Sequence, residues 1–311
     1  MEMGMVGLGR MGGNMVLRLM KRGHRMIAFD QSADAVKAHV AQGAVGAHTL
    51  EDFVKAFQSK PRVMWVMVPA GDPTTQTIDK LVELGEPGDI VIDGGNTNWK
   101  LAIQDAARVK AKGMHYMDAG TSGGIWGLEY GYCLMVGAEQ EIYDHCLPLL
   151  KDLAPDDGGL VHTGPEGSGH FVKMVHNGVE YGLMQAYAEG FQVMKMSKSF
   201  PGMNMQAIAE AWRTGSVVRS WLLDLIARGL TQDPELSTIK GWVEDTGEGR
   251  WTVEAAIDES VPVPIIAESL FARFRSRMEN TFGDRLLAMM RNQFGGHAVV
   301  SDAKAEAAAK H

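Results

Sequence analysis

Apolar and polar positions follow two different rhythms along the chain. In the first half, short apolar runs alternate with amphipathic stretches. Met3–Val6, Arg25–Asp30, Arg62–Val68, Asp89–Asp93, Met114–Asp118 and Tyr132–Val136 read as strands, several of them preceded by turn-forming residues. Arg10 to Lys21 reads as a helix, and a second helix opens on Ser32, whose hydroxyl suits an N-cap. This alternation predicts a mostly parallel sheet covered on both faces.

The rhythm changes near Gly164–Gly169. From His170 to Met196 there is no proline and no strand pattern. Phe171, Val175, Val179, Leu183, Tyr187 and Phe191 recur every four residues there, which predicts one long helix. Helices follow near Met205–Arg213, Val217–Arg228, Trp251–Glu259, Ile265–Arg277 and Phe282–Arg291, and Ala303–Lys310 reads as helical or frayed. The expected fold class is α/β. A doubly wound domain over residues 1–168 leads through the long connecting helix into an all-helical domain over residues 169–311.

Composition narrows the classes of partner. The 311 residues include 37 glycines, an excess that can mark disorder, but 45% hydrophobic residues suffice for a core. Of those glycines, 25 fall in residues 1–169, the strand-rich half. A formal net charge of −8 argues against a nucleic-acid binder, while a small anion needs only a few local cations. Cys133 and Cys146 form neither a disulfide framework nor a CxxC site, so a reducing, cytoplasmic setting is expected. There is no signal-like start and no apolar run of ~18 residues, so neither secretion nor membrane insertion is expected. The ten histidines show no ligand spacing such as HExxH, and no metal is expected.

Gly7, Leu8, Gly9, Arg10, Met11 and Gly12 form a Gly-x-Gly-x-x-Gly run directly after the first strand and at the start of the first helix. In a Rossmann-type turn the first glycine permits the tight bend and the second lets backbone approach a pyrophosphate. The third lets helix and strand pack closely, and the phosphates face the free N–H groups of the helix start. The bare pattern also suits an ordinary glycine turn; its place between strand and helix favours a dinucleotide. Asp30 ends the second strand about 20 residues further on. Its carboxylate would accept from the adenosine ribose hydroxyls and repel a 2′-phosphate, and Gln31 and Ser32 add no cation. NAD is therefore preferred over NADP. Two alternatives stay open: Asp30 only ends its strand or caps the next helix, or Arg25 folds over to help NADP.

Lys173, His176, Asn177 and Glu180 fall at i, i+3, i+4 and i+7 of the long helix, which puts four polar side chains on one face. They form a set of proton donors and acceptors; a solvated face with a Lys–Glu pair fits the spacing equally well. Asp93-Gly94-Gly95-Asn96-Thr97 follows a parallel strand at its carboxyl end, where α/β proteins bind ligands. Thr121-Ser122-Gly123-Gly124 follows the Met114–Asp118 strand and offers backbone N–H groups suited to a carboxylate or hydroxyls. Taken singly, either segment could be only a turn.

Together these residues resemble the decarboxylating 6-phosphogluconate dehydrogenase family, within the wider β-hydroxyacid dehydrogenases. The resemblance runs from the glycine loop through Asp93–Thr97, Thr121–Gly124 and Lys173–Gly182 (KMVHNGVEYG). It continues through Phe271–Arg277 to Arg291–His297, and so covers nearly the whole chain. It is to the short form, which lacks a duplicated helical region. It implies oxidative decarboxylation of 6-phospho-D-gluconate to D-ribulose 5-phosphate and CO2 with reduction of NAD(P)+, a step of the pentose phosphate pathway.

Carried over by position, the resemblance implies that Lys173 and Glu180 are the catalytic pair. The lysine would be neutral when substrate binds and Glu180 protonated when it acts as an acid. Asn96, Ser122, Gly123, Gly124, His176 and Asn177 would hold the sugar acid, Tyr181 and Arg273 its phosphate. Val68, Pro69 and Ala70 would lie against the nicotinamide, with Asn96 also near the cofactor. Arg291 and His297 would complete a neighbouring subunit's site, which implies a homodimer or homotetramer. One departure stands out. Where the long form has a lysine and a threonine in a GxKGTGKW-type loop, this chain reads Asp245-Thr246-Gly247-Glu248-Gly249-Arg250-Trp251. Glu248 is a poor phosphate ligand, and Arg250 is the available substitute. The nearest rival function is a non-decarboxylating β-hydroxyacid dehydrogenase acting on a small unphosphorylated acid.

Overall fold

A computed structural model of the chain describes residues 1–300. The Ala303–Lys310 segment lies outside the described residues. The elements, in order, are β1 (Glu2–Val6), α1 (Arg10–Lys21), β2 (Arg25–Phe29), α2 (Ala33–Val40), β3 (Val45–Gly46), α3 (Leu50–Lys55), β4 (Val63–Val66) and α4 (Asp72–Leu84). They continue with β5 (Ile90–Asp93), α5 (Trp99–Ala111), β6 (His115–Ser122), α6 (Gly127–Tyr130), β7 (Cys133–Ala138), α7 (Gln140–Leu153), β8 (Leu160–Gly164) and α8 (Ser168–Lys195). The last five are α9 (Met205–Arg213), α10 (Trp221–Gln232), α11 (Glu248–Asp258), α12 (Pro264–Ser276) and α13 (Phe282–Gly295).

The chain folds as two compact units. One comprises Met1–Glu180 and Gly247–Pro262; the other comprises Tyr181–Thr246 and the described residues from Val263 onward. The first unit is built on an eight-stranded sheet in the order β3-β2-β1-β4-β5-β6-β7-β8. Its central strands β4 and β5 are fully buried because their side chains feed two cores in alternation. Val63, Trp65, Ile90 and Ile92 join Met15, Leu19 and Leu149 on one face. Met64, Val66 and Val91 join Ile78, Leu81 and Val109 on the other. A period-2 strand with helices on both sides must be apolar at every position, as the sequence is there.

The second unit contains a core of its own. Met205 and Ala209 of α9 and Leu223, Ala227 and Leu230 of α10 are buried, with Tyr187 and Phe191 of α8 packed against them. Ser220 caps α10, its hydroxyl accepting the Leu223 N–H at 3.1 Å.

Strands β3 and β8 are additional to the six read from the sequence, and three further differences have an identifiable cause. β6 does not stop at Asp118 but runs to Ser122, because Thr121 and Ser122 pair antiparallel with Leu134 and Cys133 of β7. Such a ladder is held by backbone bonds and leaves no local hydrophobic mark. α10 starts at Trp221, and Val217, expected inside the helix, is 99% exposed. α11 starts at Glu248 rather than Trp251, after Gly247 turns the chain with φ +99° and with an acid in the favourable first turn.

Candidate active site

The order of the sheet reverses at β1, which pairs with β2 on one side and β4 on the other. Open α/β sheets bind ligands at the carboxyl ends of strands at such a switch point. The predicted glycine loop sits there. Gly7 has φ +100°, and a Cβ on it would lie 2.3 Å from the Met67 carbonyl oxygen. A Cβ on Gly12 would lie 2.1 Å from the Gly7 oxygen, whereas one on Gly9 meets nothing within 4 Å. The outer two glycines are thus required by packing, and the middle one leaves open backbone. Gly9 is the N-cap of α1, no side chain caps that helix, and no acid occupies its first turn. This cradle fits a pyrophosphate. Val68, Pro69 and Ala70 follow β4 on the adjacent loop, where the Pro69 oxygen accepts from the Thr74 hydroxyl at 3.0 Å.

Asp30 stands one residue past β2. Its Oδ2 accepts the Leu8 N–H at 2.7 Å and its Oδ1 the Ser32 N–H at 2.7 Å. Both oxygens are oriented by backbone, and each keeps lone-pair capacity for a hydroxyl. The cap of α2 itself is Ser32, which accepts the Ala35 N–H at 3.4 Å. Arg25 pairs with Glu2 and donates to the Ala56 oxygen at 3.2 Å.

The next strands position the start of α8. The Asp118 carboxylate of β6 accepts the Gly167 N–H at 2.6 Å and the His170 N–H at 2.7 Å, satisfying donors that the helix itself leaves free. Burial pushes the Asp118 carboxyl up, against the pull of His170. Asp93 ends β5, fully buried; it accepts the Gly95 N–H at 2.9 Å and the Tyr116 hydroxyl at 3.1 Å, and lies 3.3 Å from His170 Nε2. Burial would raise Asp93 and lower His170, but their mutual attraction wins: Asp93 is held below the usual carboxylate range and His170 above the usual imidazole range.

These contacts place the polar stripe. A Cβ on Gly120 of β6 would lie 2.4 Å from the Lys173 Cβ, so the lysine stem rests directly on the strand. Lys173 Nζ donates to Asn177 Oδ1 at 2.5 Å, and His176 Nδ1 lies 3.0 Å from the same oxygen. Asn177 is buried, and its Nδ2 donates to Glu248 Oε1 at 2.9 Å; Asn96 Nδ2 donates to that same oxygen. Burial pulls the Lys173 ammonium below its usual range, opposed by the carboxylates of Glu248 and Glu180. A lysine so biased can release its proton nearer to neutral pH and act as a base.

The structure thus brings Asn96, Lys173, His176 and Asn177 into one hydrogen-bonded cluster, with the charge of Glu180 acting on it. Ser122 ends β6, and Gly123 and Gly124 follow with positive φ at the turn into a 3₁₀ segment. In the second unit, the Arg273 guanidinium lies 3.5 Å from the centre of the Tyr181 ring and donates to the Glu244 oxygen at 2.8 Å. The Tyr181 hydroxyl accepts the Thr246 N–H at 3.0 Å. Arg291 and His297 are exposed, on α13 and just beyond it.

The residue that sequence reasoning misplaced is Glu248. Taken as a poor phosphate ligand in a loop, it is 2% exposed and bound to two predicted site amides. Gly120 was missed as well. Neither carries a local signal, because each matters through a residue far away in sequence.

A doubly wound sheet with a glycine-loop cradle, followed by a helix that lays a lysine on the sheet, defines a dinucleotide-dependent dehydrogenase. Comparison with known proteins narrows this. Residues 2–164 match the NAD binding domain of 6-phosphogluconate dehydrogenase, and residues 169–308 match the 6-phosphogluconate dehydrogenase C-terminal domain. The chain belongs to the 6-phosphogluconate dehydrogenase family. It is 41% identical over 300 residues, 96% of its own length and 98% of the relative's, to an NAD(+)-dependent, decarboxylating 6-phosphogluconate dehydrogenase of Haloferax volcanii. Among solved structures, 6-phosphogluconate dehydrogenase of Plasmodium falciparum superposes with a TM-score of 0.82 at 26% identity, over 97% of this chain and 66% of that one. A 3-hydroxyisobutyrate dehydrogenase of Mycobacterium tuberculosis shares the fold, with a TM-score of 0.69 at 21% identity over 86% of this chain and 90% of that one.

Proposed function

We propose that the chain oxidises and decarboxylates 6-phosphogluconate to ribulose 5-phosphate and CO2, with NAD+ as the preferred oxidant. The observation that carries this reading is Lys173, with its ammonium destabilised by burial and hydrogen-bonded to Asn177 inside the KMVHNGVEYG string. NAD supplies the hydride acceptor. The Gly7–Gly12 loop would hold its pyrophosphate, Asp30 its adenosine ribose, and Val68, Pro69, Ala70 and Asn96 its nicotinamide end.

The residues of the chain then have distinct tasks. Neutral Lys173 takes the C3 hydroxyl proton as C3 is oxidised. The resulting 3-keto acid loses CO2 because its ketone accepts the electron pair. Protonated Lys173 and His176 stabilise the oxygen on which charge develops. Glu180 protonates C1 of the enediol. Asn96, Ser122, Gly123, Gly124, His176 and Asn177 hold the sugar acid, and Tyr181 and Arg273 its phosphate. Residues 1–168 would thus hold the cofactor and lend Asn96, Ser122, Gly123 and Gly124 to the substrate, while residues 169–311 would supply the rest of the substrate site and the assembly surface.

The chain is read as a homo-oligomer whose Arg291 and His297 complete a neighbour's site. No residue of α13 is buried within its own chain, and Leu287 and Phe294 are 59% and 97% exposed. Among the described residues no helix is long and apolar enough to cross a membrane. The deciding experiment is an assay of purified protein with 6-phosphogluconate and either NAD+ or NADP+, following reduced cofactor and CO2 together. Equimolar formation of both supports the reading. Reduced cofactor without CO2, formed from an unphosphorylated β-hydroxyacid, would establish the non-decarboxylating alternative.

A further inference from the structure

We propose that Glu248 is a positioning residue of this site: its carboxylate orients the Asn96 and Asn177 amides, so that the Asn177 oxygen is turned to Lys173. The inference rests on the function proposed above and deepens it.

An ionised carboxylate only accepts hydrogen bonds, so any amide that meets it must present its NH2 group. Glu248 Oε1 receives Nδ2 of both Asn96 and Asn177. The remaining end of Asn177 is an acceptor, and it faces Lys173 Nζ at 2.5 Å and His176 Nδ1 at 3.0 Å. A neutral side chain at 248 would leave that amide free to turn over. With the NH2 group toward Lys173, a donor would face a donor, and the lysine would lose its anchor.

The helix that carries Glu248 is docked for this purpose. A Cβ on Gly178 would lie 2.7 Å from Thr252 Cγ2, so α11 packs on the face of α8 next to Asn177. The Thr252 hydroxyl lies 2.8 Å from both the Met174 and the Glu248 carbonyl oxygens, bridging the two helices beside the site.

Glu248 also acts on Lys173 through its charge. The titratable groups around the lysine are Glu248 on α11, Glu180, His170 and His176 on α8, and Cys133 on β7. Burial lowers the lysine, and Glu248 is the largest opposing influence. Removing that anion lets the ammonium lose its proton at still lower pH.

The test compares Glu248→Gln and Glu248→Asp with the wild type. Glu248→Gln is expected to lower kcat about 10- to 100-fold, the usual cost of a misplaced reacting group. It should also move the acid limb of kcat/KM to lower pH. Glu248→Asp keeps the charge, so the limb stays near its wild-type position while kcat is partly lost. Because part of its effect runs through Asn177, Glu248→Gln should cost less in kcat in an Asn177→Ala background than in the wild type. A readout independent of turnover is the pH dependence of Lys173 acylation, followed by mass spectrometry; its midpoint should fall in Glu248→Gln. Wild-type protein inactive on 6-phosphogluconate would refute the function reading, while the acylation midpoint would still test Glu248. Wild-type kcat, pH limb and acylation midpoint in Glu248→Gln would overturn the proposal. So would a Glu248→Gln variant with lowered KM, since the carboxylate would then be competing with substrate.

Discussion

The Asp30 carboxylate accepts the backbone N–H of Leu8 at 2.7 Å, tying the end of the second strand to the glycine loop. The acid proposed to discriminate between cofactors is therefore oriented by the loop proposed to receive the pyrophosphate. Asp30→Ala should weaken NAD+ binding by about 1.5–3 kcal/mol, the usual contribution of a charged hydrogen bond. It should also improve use of NADP+, by removing a charge that repels the 2′-phosphate. Steady-state kcat/KM for both cofactors checks this, and a wild type already favouring NADP+ would refute the role given to Asp30.

Lys173 and Glu180 are expected to fail at different steps. Lys173→Met should lower kcat by about 10²–10⁴-fold, the range for losing a general base, with NAD+ binding retained. Glu180→Gln should block protonation of the enediol and so product formation. Isotope exchange into C1 of ribulose 5-phosphate separates the two. Unchanged product formation in Glu180→Gln would remove it from its role.

Arg273 stacks on Tyr181 with a 3.5 Å separation and is held by the Glu244 carbonyl. Arg273→Met should raise KM for 6-phosphogluconate by about 10- to 100-fold, the equivalent of a lost charge-assisted contact. Turnover of unphosphorylated gluconate at saturating concentration should change little. An equal loss on both substrates would mean that Arg273 holds structure rather than phosphate.

Gly120→Ala would place a methyl group 2.4 Å from the Lys173 Cβ. That atom sits on the helix backbone and cannot swing away, so α8 must move. We expect a stability loss of about 1–3 kcal/mol, typical of overpacking, together with a fall in kcat larger than any change in KM. Denaturant unfolding and steady-state kinetics measure the two effects separately.

The buried Asp93–His170 pair makes stability depend on pH in two directions. Asp93 is depressed below 3.8, so its contribution is complete above that value and lost as pH falls through its lower folded value. His170 is raised above 6.5, so its contribution is complete below that value and lost as pH rises through its higher folded value. The pair stabilises fully only between these limits. Melting temperature against pH should show that plateau, and His170→Gln should remove its alkaline edge. Removing one partner strands a buried charge, at a cost of about 3–5 kcal/mol.

Much of the fold is legible in the sequence because buried parallel strands must be apolar on both faces and amphipathic helices must not. The glycine loop and the Lys173–Glu180 stripe are legible for a similar reason: each is local, set by φ angles or by helical spacing. The continuation of β6 through Thr121 and Ser122 is not, since its cause is the β7 backbone opposite. Val217 misled because an apolar residue at helical spacing says nothing about the cap at Ser220 that starts the helix four residues later.

By itself, then, the sequence determined six of the eight strands, the long helix, the glycine loop and the residue types of the polar stripe. These depend on neighbours within a few turns, where spacing translates directly into geometry. Only the tertiary structure decided what those side chains meet. It laid Lys173 on Gly120, set His170 against Asp93, and turned Glu248 inward onto Asn96 and Asn177. Each of these contacts joins residues distant along the chain, and burial gives each its strength: charged and polar groups interact this strongly only where water is excluded.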